Sequence, residues 1–300
     1  MQQGRTSIAV PVAVACAAIA FFSAMDAVMK ALTIGIGVYN AMLWRMLVGT
    51  LIAGLIWLAL RSPAPSAAAL RMHLVRGVMS SLMAILFFWG LARVPLAQGV
   101  ALAFIAPLIA LYLAAIVLGE TIERRAILGS LLGFAGVLVI MLAQAEAELG
   151  PEAFRGALSI LGSAMFYAWN IVLMRKQALV AKPIEATVFT GLVILACYLP
   201  FAPFWAALPP SDQYGSILVS AVLGVAALTL LSWAYGRAEA QYLAPIEYTA
   251  FVWAALLGLA FFAEPVRPLT IAGAAMIVAG CYWATRRGKP MPSGDPALGV

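Results

Sequence analysis

Stretches of about 20 mostly apolar residues, the length a helix needs to cross a bilayer, follow one another along almost the whole chain. They run over 9–31, 38–60, 72–92, 96–118, 124–143, 155–177, 184–205, 214–235, 241–262 and 268–285, joined by short polar connections that leave no room for an appended soluble domain. Within each stretch the residues are uniformly apolar rather than alternating. This predicts helices, which satisfy their backbone hydrogen bonds internally, and not the strands of a barrel. The predicted fold is an all-α integral membrane protein of ten transmembrane helices.

The pattern is also duplicated. Trp89, Arg93, Glu120, Gly129 and Gly136 recur 144 positions later as Trp233, Arg237, Glu264, Gly273 and Gly280. Each copy holds five stretches, and an odd number turns the second copy upside down relative to the first. Inverted repeats of this kind are found in secondary transporters, with the solute site at the interface of the repeats. The expected organisation is a first repeat over 8–143, a second over 153–286 and a tail over 287–300, whose charged, Pro- and Gly-containing sequence predicts a mobile cytoplasmic segment.

Composition agrees with a lipid environment: 65% of the 300 residues are hydrophobic and 10% charged, and the mean hydropathy is +1.02. The net charge of +6 is a matter of topology. With a cytoplasmic N-terminus, 13 Lys and Arg residues, Arg71, Arg76, Arg124 and Arg125 among them, fall on one side, against only Lys30, Arg93, Arg155 and Arg267 on the other. The positive-inside rule then puts both termini in the cytoplasm, in a bacterial inner membrane. No basic helix or aromatic-interleaved basic patch calls for a nucleic-acid partner. The run from Ile8 to Ala27 is long for a cleaved signal core and is read as the first span. Cys16, Cys197 and Cys281 lie in apolar spans without metal-ligand spacing, and the single histidine, His73, is placed at the cytoplasmic mouth of the third span.

Leu118-Gly119-Glu120-Thr121 followed by Gly129, Gly133 and Gly136, and Ala263-Glu264-Pro265 followed by Gly273 and Gly280, resemble the paired motif of the drug/metabolite transporter superfamily, EamA type. Trp44-Arg45 and the interval from Pro95 to Pro107 match that pattern too. The resemblance covers residues 8–286 and is strongest toward the YddG-type exporters of aromatic and neutral amino acids. It implies export of small neutral metabolites, amino acids such as aromatic ones, methionine or threonine, by alternating access. Riboflavin, S-adenosylmethionine or a drug-like solute, or a passive channel, are the alternatives. The partners implied are a small-molecule substrate and the lipid bilayer, with no cofactor, and a monomer is expected to suffice.

Read physically, Glu120 and Glu264 sit at helix ends beside Arg124, Arg125 and Arg267, which predicts interfacial salt bridges. The glycines four or seven apart make a small-residue face for close helix packing. Ionisable residues inside a membrane mark function or pairing, and four qualify: Asp26, Lys30, Arg45 and Glu247. Asp26 and Arg45 are placed at similar depth in the outer half, where they either form a structural ion pair or meet substrate; Lys30 lies one helical turn from Asp26. Glu247 follows Pro245, and Pro245 and Pro107 fall in corresponding spans where each frees a backbone carbonyl. Paired breaks of this kind point to a central site.

Phe166, Tyr167, Trp169 and Asn170 occupy one and a half turns of the sixth span, with Asn170 in register with the neighbourhood of Asp26, and Tyr248 follows Glu247. Met79 and Met83, one turn apart, offer an adaptable wall. The expected substrate cavity is therefore Met79, Met83, Trp169, Asn170, Glu247 and Tyr248, with Asp26, Arg45, Pro107 and Pro245 as gating or ion-pairing positions. Only Lys30 and Arg45 are available as inward cations, which disfavours phosphorylated solutes. No phosphate-binding loop, His-Glu-x-x-His or Asp-rich pair occurs, so no enzyme is expected. If Glu247 carries a coupling proton, Glu247→Gln abolishes the dependence of uptake on an imposed pH gradient in proteoliposomes; unchanged dependence removes the idea.

Overall fold

The computed structural model describes residues 9–106, 109–110, 112–113, 124–145, 150–178, 180–237 and 249–285. The described chain is helical: α1 (Ala9–Ala59), α2 (Ala67–Leu91), α3 (Leu96–Ala103), α4 (Arg124–Ala145), α5 (Gly150–Ala178), α6 (Pro183–Tyr198), α7 (Tyr214–Tyr235), α8 (Thr249–Phe262) and α9 (Pro268–Thr285). Five helical stretches are long and apolar enough to cross a membrane, and shorter apolar helices occupy Ile127–Ile140, Thr249–Phe262 and Pro268–Gly280.

The first of these, α1, is two arms. Gly37, at φ 78 and ψ 153, interrupts its 51 residues. Arg45 Nη1 lies 2.8 Å from the sulfur of Met25. Twenty residues of straight helix would separate these positions by about 30 Å, so the chain folds back at Gly37 and the arms lie side by side. Only glycine occupies this positive-φ region without strain.

Helix α2 starts five residues before the apolar stretch that foretold it. Ser66 caps it, its hydroxyl accepting from Ala69 N at 3.1 Å, a common N-terminal device. Two expectations change as a result. His73 is not at an exposed mouth: it is completely buried. Arg76 belongs to no cytoplasmic loop: it is 4% exposed within the bundle. The stretch 72–92 already held His73 and Arg76, but charge so close to its start read as exposed; of Arg71, His73 and Arg76, the last two face protein.

Helices pair across the repeats. The most extensive interfaces join α1 to α7, α4 to α9 and α2 to α5. Shifted by 144 positions, α2 becomes the segment containing α7, and α5 becomes the first arm of α1, so two of these interfaces are copies of one. The third is a self-pairing of equivalent helices, and glycines set it. A Cβ on Gly136 would lie 2.5 Å from the carbonyl oxygen of Gly273, and one on Gly273 would lie 2.6 Å from that of Gly136. A Cβ on Gly280 would meet the backbone of Gly129 and Gly133. Residues rising along α4 therefore face residues falling along α9, and the two helices cross antiparallel with backbones in contact, as the small-residue face foretold.

The Trp–Arg pair of the repeat has a shared job. Arg93 sits over the Trp89 ring, 3.5 Å from its centroid, and Arg237 sits over Trp233 at 4.0 Å. Each Nη1 also donates to the carbonyl of its own tryptophan, at 2.8 and 3.4 Å. The cations thereby close the carbonyl ends of α2 and α7, where a positive charge is favoured.

Because the seam leaves no space for a methyl group, Gly136→Ala is expected to cost about 1–3 kcal/mol of unfolding free energy. Gly54→Ala, where a Cβ meets nothing within 4 Å, is expected to cost nothing. Reversible unfolding in mixed micelles compares them.

Candidate functional site

A cavity of about 280 Å³ lies between the repeats, walled by both arms of α1 and by α2, α3, α5, α6 and α7. Its lining is mostly apolar, with a few polar groups, the composition of a small-molecule site. Helical periodicity explains who faces it. On α2 the wall is Arg76, Ser80, Met83 and Phe87, and on α5 it is Ser163, Tyr167, Asn170 and Met174, each at steps of four, three and four residues, one face of a helix. The α5 stripe shifted back by 144 gives Ile19, Ser23 and Asp26 on the first arm of α1, which also line the cavity. Asp26 and Asn170 are thus repeat equivalents.

Charge breaks this symmetry. Asp26 and Arg45 both line the cavity and interact electrostatically, but among the described residues no ion pair within 4.0 Å joins them. Arg45 directs Nη1 to the sulfur of Met25 at 2.8 Å and Nη2 to that of Met46 at 3.2 Å, while its Nε is buried without a partner among the described residues. Thioethers are weak acceptors. This guanidinium is poorly satisfied and faces a cavity, as a carboxylate-binding group must. Gly224 makes its room: a Cβ there would lie 3.1 Å from Nη1.

Arg76 is the second cavity cation, and the sequence reading missed it. Its Nε donates to Asn170 Oδ1 at 3.0 Å and its Nη1 to Gln177 Oε1. Asn170 Nδ2 in turn donates to Ser80 Oγ. The periodic signal existed, since Arg76 stands seven residues before Met83 on the same helix face, but so near the start of the stretch it was counted with the cytoplasmic loop cations.

Of the expected cavity residues, Met83 and Asn170 line the cavity, as do the ion-pair candidates Asp26 and Arg45. Met79 does not; one position off the Ser80–Met83 face, it is half-buried elsewhere. Nor does Trp169, which is 39% exposed on the outside of the bundle; the helical turn that aims Asn170 inward aims its neighbour away. Pro107, Pro245, Glu247 and Tyr248 lie outside the described residues, as does Glu120.

Glu264 does not bridge to Arg267 as expected. Helix α8 ends with Ala263 in the left-handed region (φ 53) and Glu264 N bonded to Gly258 O at 3.1 Å, a closure over seven residues that caps the carbonyl end of the helix. The cap turns the Glu264 side chain toward the first repeat. Its carboxylate takes Lys30 Nζ through one oxygen and Leu96 N, at 2.7 Å, through the other. Lys30 also donates to Val94 O at 2.7 Å, so it is not available to Asp26. The motif glutamate is a latch between the repeats. Either Glu264→Gln or Lys30→Met alone is expected to cost about 3–5 kcal/mol, because the remaining buried charge loses its partner. The double substitution is expected to recover most of that, and a double-mutant cycle of unfolding free energies measures the coupling.

Two segments, 10–142 and 154–286, each match the EamA-like transporter family. Among similar proteins, a pseudopaline exporter, CntI, of Pseudomonas aeruginosa is 28% identical over 89% of this chain and 93% of its own. An S-adenosylmethionine uptake transporter of Rickettsia prowazekii is 26% identical over 69% of this chain and 68% of its own. The aromatic amino acid exporter YddG of Ancylobacter novellus is 28% identical over 66% and 70%. A crystal structure with 18% sequence identity superposes with a TM-score of 0.63 over 92% of this chain and 96% of that one, which establishes likeness of fold. The relatives are transporters and not enzymes, and the chain, matched along both of its repeats, belongs to the EamA-like transporter family.

Proposed function

We propose that this protein is a secondary carrier that exports small metabolites bearing an amine and a carboxylate, amino acids such as aromatic ones, methionine or threonine foremost. The observation that carries the reading is the pair Asp26 and Arg45, opposite charges exposed to one cavity and not spent on each other. A zwitterion satisfies both: its ammonium meets Asp26, its carboxylate meets Arg45, and its side chain takes the apolar wall around Met83 and Phe87. Charged groups in a low-dielectric site bind strongly when paired and cost dearly when not, so such a cavity selects solutes that bring both signs. Similarity to an exporter of aromatic amino acids supports the same direction.

In this reading the chain crosses the membrane ten times as two inverted repeats, with both termini in the cytoplasm of a bacterial cell and its inner membrane as the site of action. The positive-inside count still favours that orientation after Arg76 is moved into the bundle. Lys30, Val94 and Glu264 then lie on the outer side, so their latch closes the outer end of the cavity. Alternating access breaks it while an inner closure forms. Arg45, on the return arm of α1, holds substrate beneath that latch. A second reading, a solute with an additional acidic group, is favoured by Arg76, since two arginines and one aspartate line the cavity.

Uptake of labelled amino acids into proteoliposomes, with and without a pH gradient and against unlabelled aspartate and glutamate as competitors, tests both. Saturable uptake is expected for aromatic amino acids or methionine. Asp26→Asn and Arg45→Gln are each expected to reduce it at least about tenfold, the weight of a hydrogen bond to a charged group. Trp169→Leu, on the outer surface, leaves it unchanged. Normal uptake by the Asp26 and Arg45 variants, or flux that never saturates, overturns the carrier site.

A further inference from the structure

His73 is the only histidine of the chain, it is completely buried, and nothing in the transport reading above uses it. On one side its Nε2 lies 3.2 Å from Glu185 Oε1; on the other its Nδ1 lies 2.7 Å from Gln177 Nε2. Phe189 stacks on the ring, centroids 5.6 Å apart, and Trp57 of α1 abuts the Phe189 ring in turn. Among the described residues, the charged groups acting on His73 are Glu185 from α6 and Arg76 from its own helix; α5 presents the neutral Gln177.

Hydrogen-bond logic fixes the state of every group in this chain. A guanidinium has no acceptor, so the Gln177 atom facing Arg76 must be the amide oxygen. The amide nitrogen is then turned toward His73 and toward Thr190 Oγ1, 3.0 Å away. His73 Nδ1 must accept, so the ring is neutral and carries its hydrogen on Nε2, donated to the Glu185 carboxylate. Arg76, which lines the solute cavity, thereby sets the tautomer of a histidine that does not.

Run in the other direction, the same logic is a switch. A proton added to Nδ1 sets two donors against each other. The conflict is relieved when the Gln177 amide turns over, its oxygen accepting from Nδ1–H; the Thr190 hydroxyl, donor and acceptor both, tolerates either orientation. The amide nitrogen now faces Arg76 Nη1, again two donors, and Arg76 gives up Gln177. Its Nε bond to Asn170 keeps it at the cavity wall, and the freed Nη1 turns to the cavity. We propose that His73 and Glu185 form a proton-binding site linked through Gln177 to Arg76, so that protonation of His73 releases an arginine for the anionic group of the bound solute.

Linkage is reciprocal: an anion that draws Arg76 from Gln177 makes Nδ1 easier to protonate. Proton and solute therefore bind together, and a carrier built this way moves them in the same direction, net export drawing on a high internal pool of solute. The solute half of this statement rests on the carrier reading above; the proton half stands on His73, Gln177 and Arg76 alone.

With a single histidine, ¹⁵N-histidine labelling of the full chain in lipid nanodiscs gives one imidazole to follow. At pH 8 the unmodified protein is expected to show the neutral tautomer with hydrogen on Nε2, and acidification toward pH 5 to show protonation at Nδ1. Arg76→Gln is expected to move that transition up by roughly one pH unit, and the shift is expected to fall to less than half in a Gln177→Leu background. A neutral ring with its hydrogen on Nδ1, a ring that never titrates between pH 5 and 9, or an equal shift with and without Gln177 overturns the proposal, since equal shifts mean through-space repulsion and no relay. If the Gln177 variant does not fold, the tautomer of the unmodified protein decides. Added L-glutamate, whose second carboxylate is not taken by Arg45, is expected to raise the transition in the unmodified protein and not in Arg76→Gln. A coupled His73 that ignores every amino acid added keeps the proton site and overturns the amino-acid reading instead.

Discussion

Backbone touches backbone where α4 crosses α9, and the relation of the repeats is built around that contact. In lipid there is no hydrophobic gain from bringing two apolar helices together, so association depends on close fit and on the few polar bonds between helices. The seam supplies the fit by leaving out side chains: Gly136 against Gly273, and Gly280 against Gly129 and Gly133. Equivalent helices crossing antiparallel relate the two copies, and the same relation recurs where α2 meets α5 and the first arm of α1 meets α7. Nothing larger than hydrogen at these positions preserves it.

Around that scaffold the charges divide into two kinds. Lys30 and Glu264 satisfy each other and further backbone groups, Val94 O and Leu96 N, so they tie segments of both repeats together. Arg45 leans on two sulfurs, and its Nε has no partner among the described residues. A buried cation left this poor is costly, and the cost is offset only when something else arrives. Arg76 lies between these cases, held by neutral amides that can exchange donor for acceptor. In the proposed reading a latch, a receptor and a relay differ in how completely each cation is paired, and not in residue type.

What could be read along the chain was whatever has a period or a repeat. The apolar stretches gave the helices, with 214–235 and 268–285 coinciding with α7 and α9. The 144-residue shift gave the duplication and the glycine face. Asp26, Arg45, Met83 and Asn170, which line the cavity, could be picked out because polar or flexible side chains stand out against lipid-facing ones. Met79 and Trp169 were misplaced because one position is about 100° around a helix, and composition does not say which side faces inward. Arg76, His73 and Glu185 were missed because a charged residue near a span's end reads as exposed until a neighbouring helix is known to cover it.

The sequence by itself therefore determined the solvent, the helical class, the duplication and the membership of a transporter family, all of which follow from local hydrophobicity and from spacing that survives in one dimension. Tertiary structure alone decided that Glu264 reaches Lys30 across 234 positions and not Arg267 three residues away, that Asp26 and Arg45 stay unpaired, and that Gln177 joins His73 to Arg76. Each of these is a matter of side-chain direction between helices distant in the chain. Direction is fixed by the crossing of those helices and by a cap one residue long, neither of which leaves a period in the sequence.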